Sequence, residues 1–238
     1  MLFGKQVQNE CLPISKEYND SPSNTEFQRL VAKLDSLRNG QDKQAVLITS
    51  ALMGEGKSTI SSRLAMAIAR NRMVATLLVD MDLRRPSQHK VFGMKPNLGV
   101  VDCLEGRVSL EWCIKKTQVP NLKLLTSGSL KSNPLELLTI ENLKRFLEQL
   151  KSHFDYIILD TAPIIPVSDP LILGRLVDEV IIVIKAGQTS KKMVGRALEM
   201  MEKVNVKVSG FILNNLMDIL PYYYNHNFYQ YDYYTTKY

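Results

Sequence analysis

The chain has 238 residues, is 45% hydrophobic and carries a formal charge of +6. That length suits one domain with a substantial core plus appendages. No apolar run approaches bilayer length, and the N-terminal MLFGKQVQNECLPISK lacks a signal-peptide core, so a cytoplasmic protein is expected.

The basic residues come as scattered pairs, Arg84/Arg85, Lys115/Lys116 and Lys191/Lys192, without a long block. This is the pattern of a solvated surface and argues against a nucleic-acid partner. Cys11, Cys103 and Cys113 show no CxxC spacing, which argues against a metal or disulfide framework.

Residues 1–24 are polar with two prolines and read as an irregular arm. A helix is expected from about Thr25 to Arg38, where Phe27, Leu30, Val31, Leu34 and Leu37 share one face. Ser23 and Glu26 have the spacing of a capping box. From Ala45 onward, apolar runs at 45–49, 74–79, 122–126, 156–159, 179–184 and 207–213 alternate with amphipathic segments at 58–71, 139–152 and 189–204. Continuous Val/Ile/Leu runs separated by helices predict an α/β fold, a mainly parallel sheet covered by helices on both faces. The expected division is an arm (1–24), a domain (25–215) and a flexible tail (216–238).

The first strand runs into Ser50-Ala51-Leu52-Met53-Gly54-Glu55-Gly56-Lys57-Ser58-Thr59 and then a helix. Gly54 and Gly56 let backbone N–H groups approach phosphate oxygens, and the helix N-terminus adds partial positive charge. Lys57 suits the β/γ-phosphates and the Ser58 hydroxyl suits Mg²⁺. This P-loop pattern departs from GxxxxGK[ST] only in having Ala51 at its first glycine. Met53, Gly54, Glu55, Gly56, Lys57, Ser58 and Thr59 are the candidate nucleotide-binding residues.

Two later strands end in carboxylates, LLVDMDLRRP at Asp80 and Asp82 and IILDTAP at Asp160. In a parallel sheet these strand ends share the ligand-binding edge. Three carboxylates beside a triphosphate imply a cation, so ATP with Mg²⁺ is expected. Any one of these aspartates taken alone also fits a turn cap.

The tail reads YYYNHNFYQYDYYTTKY and holds eight of the ten tyrosines: Tyr222, Tyr223, Tyr224, Tyr229, Tyr231, Tyr233, Tyr234 and Tyr238. Aromatic rings need apolar cover and their hydroxyls need partners. With almost no aliphatic residues the tail can hardly fold alone. About twenty flexible residues reach about 25 Å, far enough for a site on the same or a neighbouring chain.

SALMGEGKST, LLVDMDLRRP and IILDTAP together resemble the Walker A, A′ and B motifs of bacterial tyrosine kinases, members of the MinD/ParA-like class of P-loop ATPases. DLRRP followed by His89 and Phe92-Gly93 is similar to the family too, as is Ser127-Gly128 with Asn133 to Leu138. The resemblance covers roughly residues 25–215, and the tyrosine cluster completes it. It implies autophosphorylation of C-terminal tyrosines on neighbouring subunits, in the regulation of capsule or exopolysaccharide synthesis and export.

By position, the resemblance gives Lys57 and Ser58 the phosphates and metal, and Asp82 and Asp160 the organisation of Mg²⁺. It makes Asp80 the candidate base, although the sequence does not separate the roles of Asp80 and Asp82. Asn214 matches the adenine-contacting asparagine, with Asn215 as its rival. Glu26 and Arg29 match two positions of the ExxRxxR motif that locks subunits into a ring, but Ala32 stands at the third.

The family also implies a homo-oligomer, a cognate tyrosine phosphatase and a membrane activator of the polysaccharide co-polymerase type. Here that activator is expected as a separate partner holding the enzyme at the inner face of the membrane. The alternatives are a MinD/ParA-like ATPase without kinase activity, disfavoured by Leu52 where that class has a second lysine, and a sticky or base-stacking tail, disfavoured by its lack of interleaved Arg or Lys.

Overall fold

The structure is a computed structural model and describes residues 23–37, 43–129 and 134–215. Residues 1–22 of the expected arm (1–24) and all eight tail tyrosines lie outside the described residues, as does Asn133, while Ser23 and Asn24 belong to the first helix. In chain order the elements are α1 (Ser23–Leu37), β1 (Gln44–Ser50), α2 (Lys57–Arg72), β2 (Thr76–Asp80), α3 (Gln88–Val91), α4 (Val100–Leu104), α5 (Leu110–Cys113) and β3 (Ile114–Lys116). Then follow β4 (Leu122–Leu125), α6 (Pro134–Leu137), α7 (Ile140–His153), β5 (Tyr156–Asp160), α8 (Asp169–Gly174), β6 (Glu179–Lys185), α9 (Lys191–Glu202) and β7 (Gly210–Asn214).

The seven strands form one sheet in the order β3-β4-β2-β5-β1-β6-β7. All pairings are parallel except β3 with β4. β1, β2 and β5 are buried along their whole length, as expected for strands covered on both faces. One apolar layer joins alternate strand residues such as Leu47, Leu77 and Leu159 to α7 through Leu143, Phe146, Leu147 and Leu150. The opposite layer joins Val46, Ile48, Leu78 and Ile158 to α2 and α1. Each fully buried Leu or Ile contributes about 1.5–3 kcal/mol, so these layers are what fixes the strand ends in place.

Phe27, Val31 and Leu34 are the buried face of α1, as the spacing predicts. A polar anchor supplements them: the Tyr156 hydroxyl donates to Asp35 at 2.5 Å, and Arg72 pairs with the same carboxylate. The described helix begins at Ser23, two residues before its expected start. Glu26 accepts from Arg29 at 2.6 Å on an exposed face.

The edge strand β3 was not expected. Its three residues, Ile-Lys-Lys, are half-exposed and carry no apolar run. Among the described residues no helix is long and apolar enough to cross a membrane.

Candidate active site

Parallel register does most of the assembly. Asp80, closing β2, is the direct cross-strand partner of Asp160, closing β5. β1 lies on the other side of β5 and feeds the glycine loop, so loop and carboxylates share one sheet edge. Gly54 and Gly56 have φ of 77° and 92°, which an L side chain resists. At Gly56 the space is closed as well, since a Cβ there would stand 2.1 Å from Asn214 Nδ2.

The loop is braced from within. Glu55 is 2% exposed, and its carboxylate accepts from the Leu52 N–H at 2.6 Å, the Lys185 N–H at 3.4 Å and the Thr189 hydroxyl. Expected among the nucleotide-binding residues, Glu55 therefore has only its main chain to offer a phosphate. Asn214 Nδ2 donates to the Glu55 carbonyl at 3.0 Å, tying the end of β7 to the loop. The neighbouring Asn215 N–H donates to Asn214 Oδ1 at 2.9 Å. Met53, Gly54 and Thr59 are exposed around the loop, whereas Ser58 is half-buried at the start of α2.

Lys57 is buried as the first residue of α2. Burial pulls its ammonium below the usual lysine range, while Asp160, Asp82 and Glu55 pull it back up. Asp80 accepts the Ser87 and Gln88 N–H groups on Oδ2, both at 2.9 Å. Burial, then the charge of Asp160, push its carboxyl up to about 8 against those two bonds. Burial likewise pushes Asp160 up to about 6, opposed by hydrogen bonds from Gln88 and Ser58 and by Lys57. Asp82 is less buried and its Oδ1 accepts from the Arg85 N–H at 3.0 Å. Arg84 is held away by a two-point contact with buried Asp169, at 3.1 and 3.4 Å.

Asp80 Oδ1 and Asp160 Oδ1 are buried without a hydrogen-bond partner. Two such oxygens on adjacent strands fit a divalent cation, which would relieve the burial that raises both carboxyls. Among the described residues no three or more His, Cys, Asp or Glu converge as a ready-made metal cage. Mg²⁺ is bound through one or two carboxylates and completes its shell with phosphate and water. Of the residues expected to hold it, Asp160 supplies one of these oxygens, Ser58 stands half-buried at the start of α2 and Asp82 is less buried, while the second oxygen belongs to Asp80, expected as the base.

The raised Asp80 carboxyl has a consequence for stability. Its folded value of about 8 lies above its unfolded value, so the folded state holds the extra proton between them. Stability of the nucleotide-free protein therefore falls as pH rises through that window. Asp80→Asn, which cannot ionise, is expected to gain stability over the parent from about pH 5.5 to about pH 8. Thermal melts read the gain as about 2–4 °C per kcal/mol. A gap of equal size at both pH values would refute it.

A parallel sheet carrying a glycine loop, a buried lysine and facing strand-end aspartates defines a P-loop ATPase. The AAA domain family model matches residues 44–217. The tyrosine-protein kinase YwqD of Bacillus subtilis is 34% identical over 84% of this chain and 80% of its own length. The putative tyrosine-protein kinase CapB of Staphylococcus aureus is 32% identical over 85% of each chain. Etk of Escherichia coli is 30% identical over 91% of this chain, which spans 30% of that longer protein.

The solved Etk kinase domain superposes with a TM-score of 0.81 at 28% identity, covering 88% of this chain and 82% of that one. The septum site-determining protein MinD of Pyrococcus horikoshii, at 24% identity and a TM-score of 0.61, shares the fold over 72% of this chain and 70% of that one. The chain belongs to the bacterial tyrosine kinases, and it is a protein-tyrosine kinase built on an ATP-binding P-loop.

Sequence reasoning missed Gln88 and Thr189, which reach Asp160 and Glu55 from other elements, and Ser61, which joins Gln88 to the Ser58 carbonyl from within α2. An amide or hydroxyl inside an amphipathic or loop segment carries no signal until the fold brings it home.

Proposed function

We propose that this kinase transfers the γ-phosphoryl of ATP to its own C-terminal tyrosine cluster, chiefly between neighbouring subunits. The observation that carries the reading is the Asn214 bridge to Glu55, because it roots the tyrosine-rich segment beside the phosphate loop. Phosphoryl transfer is largely a matter of positioning and charge stabilisation. Lys57 and the backbone of the loop hold the phosphates, and Asn214 contacts the base. Asp80 accepts the proton of the incoming tyrosine hydroxyl, and its raised affinity for a proton suits that role. Ser58, Asp82 and Asp160 would hold Mg²⁺, which would supply positive charge against the developing phosphate charge.

The resemblance of relatives named CapB and CpsD supports a role in capsule or exopolysaccharide synthesis. The chimerical protein CapA2B2, 30% identical with a TM-score of 0.78, supports partnership with a separate membrane activator. A homo-oligomer using the exposed Glu26 and Arg29, and a cognate phosphatase, complete the reading.

Incubation with labelled ATP and Mg²⁺ tests it, followed by mapping of phosphate by mass spectrometry. Label is expected on residues 222–238. ATP hydrolysis without phosphotyrosine would instead support an ATPase of the MinD kind.

A further inference from the structure

Gln88 is fully buried, although neither the phosphate loop nor the aspartate motifs call for an amide there. The two hydrogens of its side-chain Nε2 are shared among Asp160 Oδ2 at 2.7 Å, the Ser58 carbonyl at 3.0 Å and Ser61 Oγ at 3.1 Å. Ser61 in turn donates its own hydroxyl to the Ser58 carbonyl at 3.2 Å, so its oxygen is free to accept. All three partners are acceptors, which sets the amide orientation. The main-chain N–H of the same residue donates to Asp80 Oδ2. The first residue of α3 thus grips the phosphate-loop helix and both strand-end carboxylates.

The contact is selective between the oxygens of Asp160. Oδ2 is taken by Gln88, while Oδ1 is buried without a partner. The Gln88 bond on Oδ2, together with the Ser58 side chain that also hydrogen-bonds this carboxylate, restrains rotation about its last torsion and so sets the direction in which Oδ1 is presented. We infer that Gln88 is a positioning residue, whose side-chain amide locks Asp160 so that Oδ1 is held ready for the cation accompanying the nucleotide. The inference rests on the reading of Asp160 as a Mg²⁺-organising residue. Partners of this outer kind set the orientation and basicity of metal ligands, and their loss typically weakens metal affinity about 10–100-fold.

Gln88→Met keeps the length of the side chain and removes the donor, and Gln88→Leu removes the donor with a branched chain one atom shorter. Each is titrated with a fluorescent ATP analogue at increasing Mg²⁺ and again in EDTA, using the full chain. The half-saturating Mg²⁺ concentration is expected to rise about tenfold or more in both variants, with affinity in EDTA within about twofold of the parent. Equal weakening with and without Mg²⁺ would mean that Gln88 only fills space, and an unchanged Mg²⁺ midpoint would equally overturn the inference. If one variant does not fold, the other decides. A parent protein whose nucleotide binding ignores Mg²⁺ would sink the reading of Asp160 itself, and the inference with it.

Discussion

Lys57→Met is expected to lower tyrosine phosphorylation by about 10²–10³-fold or more, the loss typical of removing one preorganised charge donor from a transfer site. Lys57 stands at the start of α2, buried, and interacts with the carboxylates of Asp160, Asp82 and Glu55. Methionine matches its length and not its charge, so the triphosphate would face those carboxylates with no fixed side-chain cation to balance them.

The same variant decides whose tail is the substrate. β7 pairs with β6 and ends where Asn214 binds the Glu55 carbonyl, so the segment beyond Asn215 starts next to its own phosphate loop. A hydroxyl must come in line with the leaving oxygen, and a chain anchored so close has to double back to do it. Transfer between subunits avoids that reversal. When the Lys57→Met chain is mixed with an active chain truncated after residue 220, phosphotyrosine is expected on the inactive chain. The rate should rise with the concentration of the truncated partner. No label on the inactive chain, with circular dichroism showing both chains folded, would rule out transfer in trans.

Much of this geometry is legible in the residues. The runs at 45–49, 156–159 and 179–184 became β1, β5 and β6 with shifts of one residue, because a strand buried on both faces must be apolar throughout. The convergence of Asp80 and Asp160 follows from the same rule, since parallel strands put their C-terminal ends on one edge.

Short or half-exposed elements are not legible in this way. β3 is three residues long at a sheet edge, and α3 to α6 are each too short to show helical period. Nor does a pattern show where a polar side chain ends up. Glu55 reads as part of a phosphate loop, yet its carboxylate braces the loop against Thr189 and the Lys185 N–H. Arg84 sits in a basic pair that reads as solvated surface, yet it is matched with buried Asp169, eighty-five positions along the chain. Such contacts depend on which elements pack together, and sequence spacing alone does not encode that.

Phosphorylation of the tail is expected to shrink the assembly. Residues 222–238 carry only Asp232 and Lys237 as fixed charges, so the unmodified segment begins near neutrality. Each phosphotyrosine adds about −1.5 to −2 charges, and four of them would add about −6 to −8. That is enough to cancel the +6 of the whole chain.

The local effect is sharper than the net one. The site edge next to the tail root already presents Asp80, Asp82 and Asp160, with Lys57 buried among them. A neighbour's phosphorylated segment docked there meets charge of its own sign, whereas an unmodified one does not. Exposed charges are screened over about 10 Å at 0.1 M salt, so the repulsion should weaken as salt rises. Sedimentation of fully phosphorylated and phosphatase-treated protein, at matched concentration and low salt, is expected to give smaller particles for the phosphorylated form, with the difference narrowing at high salt. Stepwise Tyr→Phe replacement should restore size in proportion to the number of sites removed, because charge accumulates over the cluster and no single position carries it. Equal sizes for the two forms at low salt, or full restoration by one replacement, would refute a graded charge switch.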